Sequence, residues 1–569
     1  AGTLASTISM SGGVLDADES LTVSGALSHS ADITIDVATN KTFTYSGATI
    51  SVGANTITLT GGGNLVSGGL TLNDANSKLL LNSITLDSAS TSANSLGIDV
   101  DANSTVTSLS VGHITPVSIA AGKRLSGAIT VSAGSLKLNE TGMLASTITM
   151  SGGILDADET STVSGALTQT ADIAIDVATG KTLTYTGAAV NLGGKTLTLS
   201  GGGTLGNTNA LLLNNADSKL LLNSITVGSA STSANSLGID VDADSTVTSL
   251  SVGHTTPVSI AANKTLSGGI TVTAGSLKLA ETGTLASTVS MSGGTLDADE
   301  TLTVSGALTQ TADIAIDVAT GKTLTYSGAA VNLGGKTLTL SGGGTLGNTN
   351  ALVLNNANSK LQLDSITLSR ASTSANSLGL DVNANSTVTS LSVGHKTPVS
   401  IASTKTLSGA ISVSAGSIKL NETGTLASSI SMSGGVLDAD NSLTVSGALT
   451  HTGNITLDVA ETKTLTYTGD GINLGANTMT LSGGGSLNNT NALVLSDPDS
   501  KLLLNSISLD SVSTTSDSLG LDVDADSTVT SLTVANITPV AIVSGSSLSG
   551  GITLTAGSLN LSEAGTLAS

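Results

Sequence analysis

Cysteine and tryptophan are missing from all 569 residues; there is one phenylalanine, four tyrosines and five prolines. Without cysteine there is neither a disulfide framework nor a thiolate metal site. A long chain without thiols also crosses an oxidising compartment without mispairing, which suits secretion. Without large aromatics a thick globular core has almost nothing bulky to fill it. Positive charge is scarce too: 19 Lys and Arg stand against 41 Asp and Glu, a formal charge of −22. Such a surface repels phosphate backbones and anionic headgroups. It argues against a nucleic-acid partner and leaves divalent cations open. No apolar run reaches the length of a membrane span, and no signal peptide is read, so no membrane insertion is expected.

What is present is small and aliphatic. Hydrophobic residues make up 39% of the chain, nearly all of them Ala, Val, Ile and Leu. They recur too regularly for a disordered segment. The expected core is therefore narrow and built from branched side chains.

The stretch GTLASTISMSGGVLDADESLTVSG, from Gly2 to Gly25, returns with small changes at Gly142, Gly283 and Gly424. Leu4, Leu144, Leu285 and Leu426 are equivalent, so the period is 140 residues once and 141 thereafter. This gives repeats at 1–140, 141–281, 282–422 and 423–563, with 564–569 beginning a fifth, read as one continuous array. The extra residue falls between Gly63 and Lys78, or Gly203 and Lys219, where a one-residue change marks a surface loop.

Within each repeat, polar turn-forming clusters separate short alternating segments, about seven units of roughly 20 residues. In AITVSAGSLKL, Ile129, Val131, Leu136 and Leu138 fall on one side and Thr130 and Lys137 on the other. Period two with β-branched residues indicates strands. Short strands and turns at this spacing predict an all-β fold, a right-handed parallel β-solenoid (β-helix) of about 28 coils, each stacked on the last at roughly 4.8 Å. A string of four β-sandwiches fits less well, because its turns would come every 8–12 residues around a central aromatic. Pro116, Pro257, Pro398 and Pro539 share one position, TPV, and are expected at a corner rather than in a paired strand.

Segments such as KTLTLSGGGTL (Lys195–Leu205) and NANSTVTSLSVG (Asn383–Gly394) resemble the repeat regions of giant bacterial surface proteins. These are the filamentous haemagglutinin-like adhesins and autotransporter passengers. The resemblance implies a parallel β-helix, export to the bacterial cell surface, and a stalk or adhesive role. It supplies no catalytic residues.

Several polar sets are candidates for chemistry. Asp16 and Asp18 recur as Asp156 and Asp158, Asp297 and Asp299, Asp438 and Asp440. At i and i+2 on extended chain such pairs point to one side and could share Ca²⁺. A second set is Asp99 and Asp101; Asp240, Asp242 and Asp244; and Asp522, Asp524 and Asp526. The third copy reads Asp381, Asn383, Asn385, and that loss of charge favours solvated turn residues. Paired carboxylates also suit glycoside hydrolysis. An active site is a singular constellation in a cleft, however, whereas each of these sets recurs along the array. No catalytic, cofactor-binding or metal residues are therefore assigned, and no enzyme activity is expected.

His113, His254 and His395 lie in GHxTPV, with Asn536 in the fourth copy, and read as surface turn residues. Tyr45, Tyr185, Tyr326 and Tyr467, each four residues after a lysine, read as packing caps on a coil, with a periodic sticky face as the other reading. Thr42 and Thr44, Thr56 and Thr58, and Thr105 and Thr107 place hydroxyls on one face, as in Thr ladders that bind ice.

The function expected is that of an extracellular structural or adhesive repeat protein forming a rigid stalk, sheath or filament. The alternatives are an ice- or glycan-binding solenoid and a calcium-rigidified adhesin extender. The partners expected are further coils joined end to end, since AGTLAS stands at both Ala1–Ser6 and Ala564–Ser569, and a cell-surface or glycan ligand.

Overall fold

A computed structural model describes residues 2–568; Ala1 and Ser569, the outermost residues of the repeated AGTLAS, lie outside the described residues. Two compact units are present, Ala1–Thr288 and Val289–Ser569. Among the described residues both are built of strands and turns with no helix, and each is a parallel β-solenoid. One side of the solenoid carries strands such as Ser135–Leu138. Fourteen of these lie in the first unit and fourteen in the second, about 28 coils in all and seven per long repeat.

Each coil has three sides. After Ser135–Leu138 the chain forms Met143–Leu144 and then Thr147–Met150, two short strands meeting at a corner. In other coils these two sides are one bent strand, as in Ser104–Val111 and Arg124–Val131. The bend shows in the pairing, where the register shifts between Val106 and Ser108. It also shows in exposure, because Thr107 and Ser108 both face outward and interrupt the alternation. Neighbouring coils are offset by as few as 19 residues (Lys78↔Gly97) and as many as 24 (Ile33↔Ile57). The corners absorb the difference, so the strands stay in register.

Alternation explains the core. Ile57, Leu79, Ile98, Val117, Leu138, Ala157 and Val177 pair successively across seven coils. All are buried. Ile129, Val131, Leu136 and Leu138 are buried as expected, while Thr130 and Lys137 face outward. Each coil buries an aliphatic row on the coil before it and hydrogen-bonds to it through parallel ladders. A single coil buries too little apolar surface to offset the entropy of ordering its chain, so neighbours stabilise one another.

Two expectations need correction. The recurring proline is not at a corner: Pro116 sits inside the strand Ile114–Ile119 and pairs with Lys137, and Pro257 and Pro398 pair likewise with Lys278 and Lys419. Toward the preceding coil the ladder begins only at Ile98↔Val117, one residue beyond the proline, so the missing N–H removes no bond from it. Opposite the proline stands Gly97, with φ of 90°; a Cβ there would lie 1.9 Å from the Pro116 carbonyl oxygen. Gly238, Gly379 and Gly520 oppose the other prolines in the same way.

Nor is the extra residue of the later copies a surface insertion. The strand Asn64–Val66 becomes Thr204–Asn207, and the added residue, Asn207, is buried at the corner. Its amide donates to the carbonyls of Asn209 (2.9 Å) and Ser229 (2.6 Å), and its Oδ1 accepts from Gly228 N (3.0 Å) and Ser229 N (3.2 Å). Asn348 and Asn489 are buried at the same place in their copies.

Candidate functional site

The carboxylate pairs converge, but on lysine. Asp156 lies in the strand Ile154–Ala157, and Asp158 follows just after it. Lys137 of the preceding coil reaches both, at 3.4 Å and 2.7 Å. Lys419 does the same for Asp438 (3.3 Å) and Asp440 (2.5 Å). The bond to Asp158 holds the Lys137 ammonium above the usual lysine range, with Asp440 doing so for Lys419. Burial dominates at the inner carboxylates and pushes Asp156 and Asp438 up, although their lysines pull the other way.

The second acidic set divides into two tasks. Asp99 pairs with Lys78 at 2.5 Å, and Asp240, Asp381 and Asp522 pair with Lys219, Lys360 and Lys501. Asp244 instead accepts the backbone N–H of Thr265 at 2.8 Å, and Asp526 that of Ser547 at 2.8 Å. Asn385 makes the same bond to Thr406 N at 3.0 Å. A side-chain amide oxygen serves as well as a carboxylate here, because only an acceptor is needed. The same exchange occurs one side away: Asp32, Asp172 and Asp313 accept from Thr56, Thr196 and Thr337, and Asn454 accepts from Thr478. Among the described residues no group of three or more His, Asp or Glu side chains comes together as a metal centre.

The histidines His113, His254 and His395 are exposed at bends and well separated in sequence. The tyrosines are inside the solenoid, which favours the packing reading over the sticky face. Tyr45, Tyr185, Tyr326 and Tyr467 are all buried. The hydroxyl of each accepts the backbone N–H of a leucine in the preceding coil: Leu27 (3.1 Å), Leu167 (3.0 Å), Leu308 (3.1 Å) and Leu449 (3.0 Å). Tyr185 and Tyr326 also donate to Ala188 O and Ala329 O at 2.7 Å. Burial raises the phenol pKa of Tyr185, Tyr326 and Tyr467.

The hydroxyl-bearing strands yield the most continuous outward feature. Thr182, Thr204, Thr226, Thr246 and Ser267 pair in succession and form one column across five coils. The third copy repeats it as Thr323, Thr345, Thr367, Thr387 and Ser408. In the first copy Thr42, Thr85, Thr105 and Ser126 occupy it with Asn64 among them. Thr226, Thr246 and Ser267 line a shallow hollow together with Ser224, Asp244 and Thr265, and the third copy has the same hollow. Thr56 and Thr58 belong to a different side, where Lys78 and Leu80 follow them in the next coil. The Thr-x-Thr spacing therefore marks outward positions without telling which side of the coil they share. The column could have been found by aligning the seven units of a repeat and reading down them. The buried Asn207 could not, since its burial depends on the corner geometry.

No family model matches the chain, and no curated protein or solved structure is significantly similar to it.

Proposed function

We propose that this chain is an extracellular structural or adhesive repeat protein, working as a rigid stalk, sheath or filament at the bacterial cell surface and performing no catalysis. One observation carries the reading: polar side chains that would otherwise suggest a site are engaged in holding one coil to the next. Lysines bond carboxylates one coil away, Asp or Asn caps the next coil's backbone, and buried tyrosines bond the preceding coil. The same bonds return at equivalent positions in successive repeats, as a building unit requires and a single site does not. The acidic surface adds support, since it keeps such arrays soluble. A coil's ladder edge would also match any further coil of the same sequence, which makes end-to-end joining with like coils part of the proposal. The test is surface fractionation of the producing cell with an antibody to the repeats, paired with electron microscopy of the purified chain. Surface-exposed, unbranched structures are expected; a purely internal pool would overturn the proposal.

A second reading rests on the hydroxyl column. Five hydroxyls at strand spacing, beside a polar hollow, suit a repeating polar ligand such as a glycan or an ice surface. Substituting Thr204, Thr226 and Thr246 by Val should abolish glycan binding or inhibition of ice recrystallisation if this column is the binding face. Binding left intact would dismiss it.

A further inference from the structure

One side of every long repeat stacks two aspartates in register: Asp16 on Asp36, Asp156 on Asp176, Asp297 on Asp317 and Asp438 on Asp458. Facing residues on adjacent strands lie about 4.8 Å apart along the stack, and like charges placed so repel. The groups around the pairs do not neutralise them. Lys137 stands on the outer side of Asp156 at 3.4 Å but is closer to Asp158, at 2.7 Å, so one ammonium serves two carboxylates before Asp176 is counted. Lys419 is shared in the same way between Asp438 and Asp440. On the far side of the second aspartate stands only a neutral donor: the Ser200 hydroxyl bonds Asp176, Ser341 bonds Asp317, and Ser482 bonds Asp458. Asp156 and Asp438 are also largely screened from solvent.

We infer that these stacked aspartates share a proton in mild acid, so that the solenoid is tightened rather than loosened as pH falls below neutral. A proton taken from solvent by the inner carboxylate turns it into a donor, and the neighbouring carboxylate accepts from it. Repulsion between coils is replaced by a charge-assisted hydrogen bond. The sign follows from linkage. The inner carboxyls Asp156 and Asp438 sit above the usual aspartate range through burial, so between that raised value and the unfolded value the folded chain binds more protons. Stability therefore rises as pH falls through this window.

The test compares the full chain with a variant carrying Asp36→Asn, Asp176→Asn, Asp317→Asn and Asp458→Asn. The melting temperature of the natural chain should rise by about 2–5 °C between pH 7 and pH 5. The variant should start higher at pH 7 and change little. Infrared absorption of a protonated carboxyl at pH 5.5 should be present in the natural chain, and that readout does not depend on the variant's folding. A natural chain that melts lower at pH 5, a variant with the same pH response as the natural chain, or no protonated carboxyl at pH 5.5 would each overturn the inference.

Discussion

At the scale of single residues, polar side chains that look functional act as fasteners between coils. The exchange of Asp244 for Asn385 at one position, and of Asp172 for Asn454 at another, shows which property matters. An oxygen must reach a backbone N–H; a charge is not required. Asp244→Asn should therefore leave stability within about 0.5 kcal/mol, while Asp244→Ala should cost about 1 kcal/mol by removing the acceptor; both are measurable by urea unfolding. Calcium or a chelator should shift neither melting curve if these residues serve only as acceptors. Tyr185 is a stricter case. Its hydroxyl accepts from Leu167 N and donates to Ala188 O in a buried place. Tyr185→Phe should cost about 1–3 kcal/mol, chiefly because the Leu167 N–H is left without a partner; unfolding of the variant measures it.

At the scale of the strand, the constraint is the closeness of one coil to the next. Gly238 opposes Pro257, and a Cβ on Gly238 would lie 1.9 Å from the proline carbonyl oxygen. Gly238→Ala should destabilise by at least about 3 kcal/mol, since its φ of 85° also disfavours any side chain. Pro257→Ala should be nearly neutral, because the strand Thr256–Ile260 is already extended there and the ladder to the preceding coil starts one residue later. Comparing the two melting temperatures checks the assignment: if the alanine at Pro257 were the more damaging change, the proline would be fixing the coil and the glycine merely tolerated.

At the scale of the whole molecule, the meaningful unit is the seven-coil period rather than the coil. Lysine–aspartate bridges, tyrosine bonds and hydroxyl columns each return after 141 residues in the later copies, and a coil out of this order would face the wrong partner. Excising residues 142–282 joins Thr141 to Gly283, an equivalent of Gly142, and should leave a chain with an unchanged specific ellipticity and a single unfolding transition. Excising 142–211 instead should give a chain that unfolds at lower denaturant or in two steps, because mismatched coils meet at the junction. Equal behaviour of the two deletions would mean that coils stack without regard to their place in the repeat.

Much of this was legible in the sequence. The tandem period, the alternation of Ile129, Val131, Leu136 and Leu138, and the lack of aromatic core residues were enough to determine a parallel β-solenoid of about seven coils per repeat, because period-two burial and repeated turn clusters are local properties of the chain. What lay between coils was not legible. Lys137 meets Asp156 and Asp158, Thr204 meets Thr226, and Gly97 meets Pro116 only through pairings about 20 residues apart, whose offsets vary with each corner. For that reason the proline was expected at a corner and the inserted Asn207 on the surface. Sequence specified which residues face outward; the tertiary register decided which of them touch, since a shift of one residue in any corner would turn the following side chains to the other face.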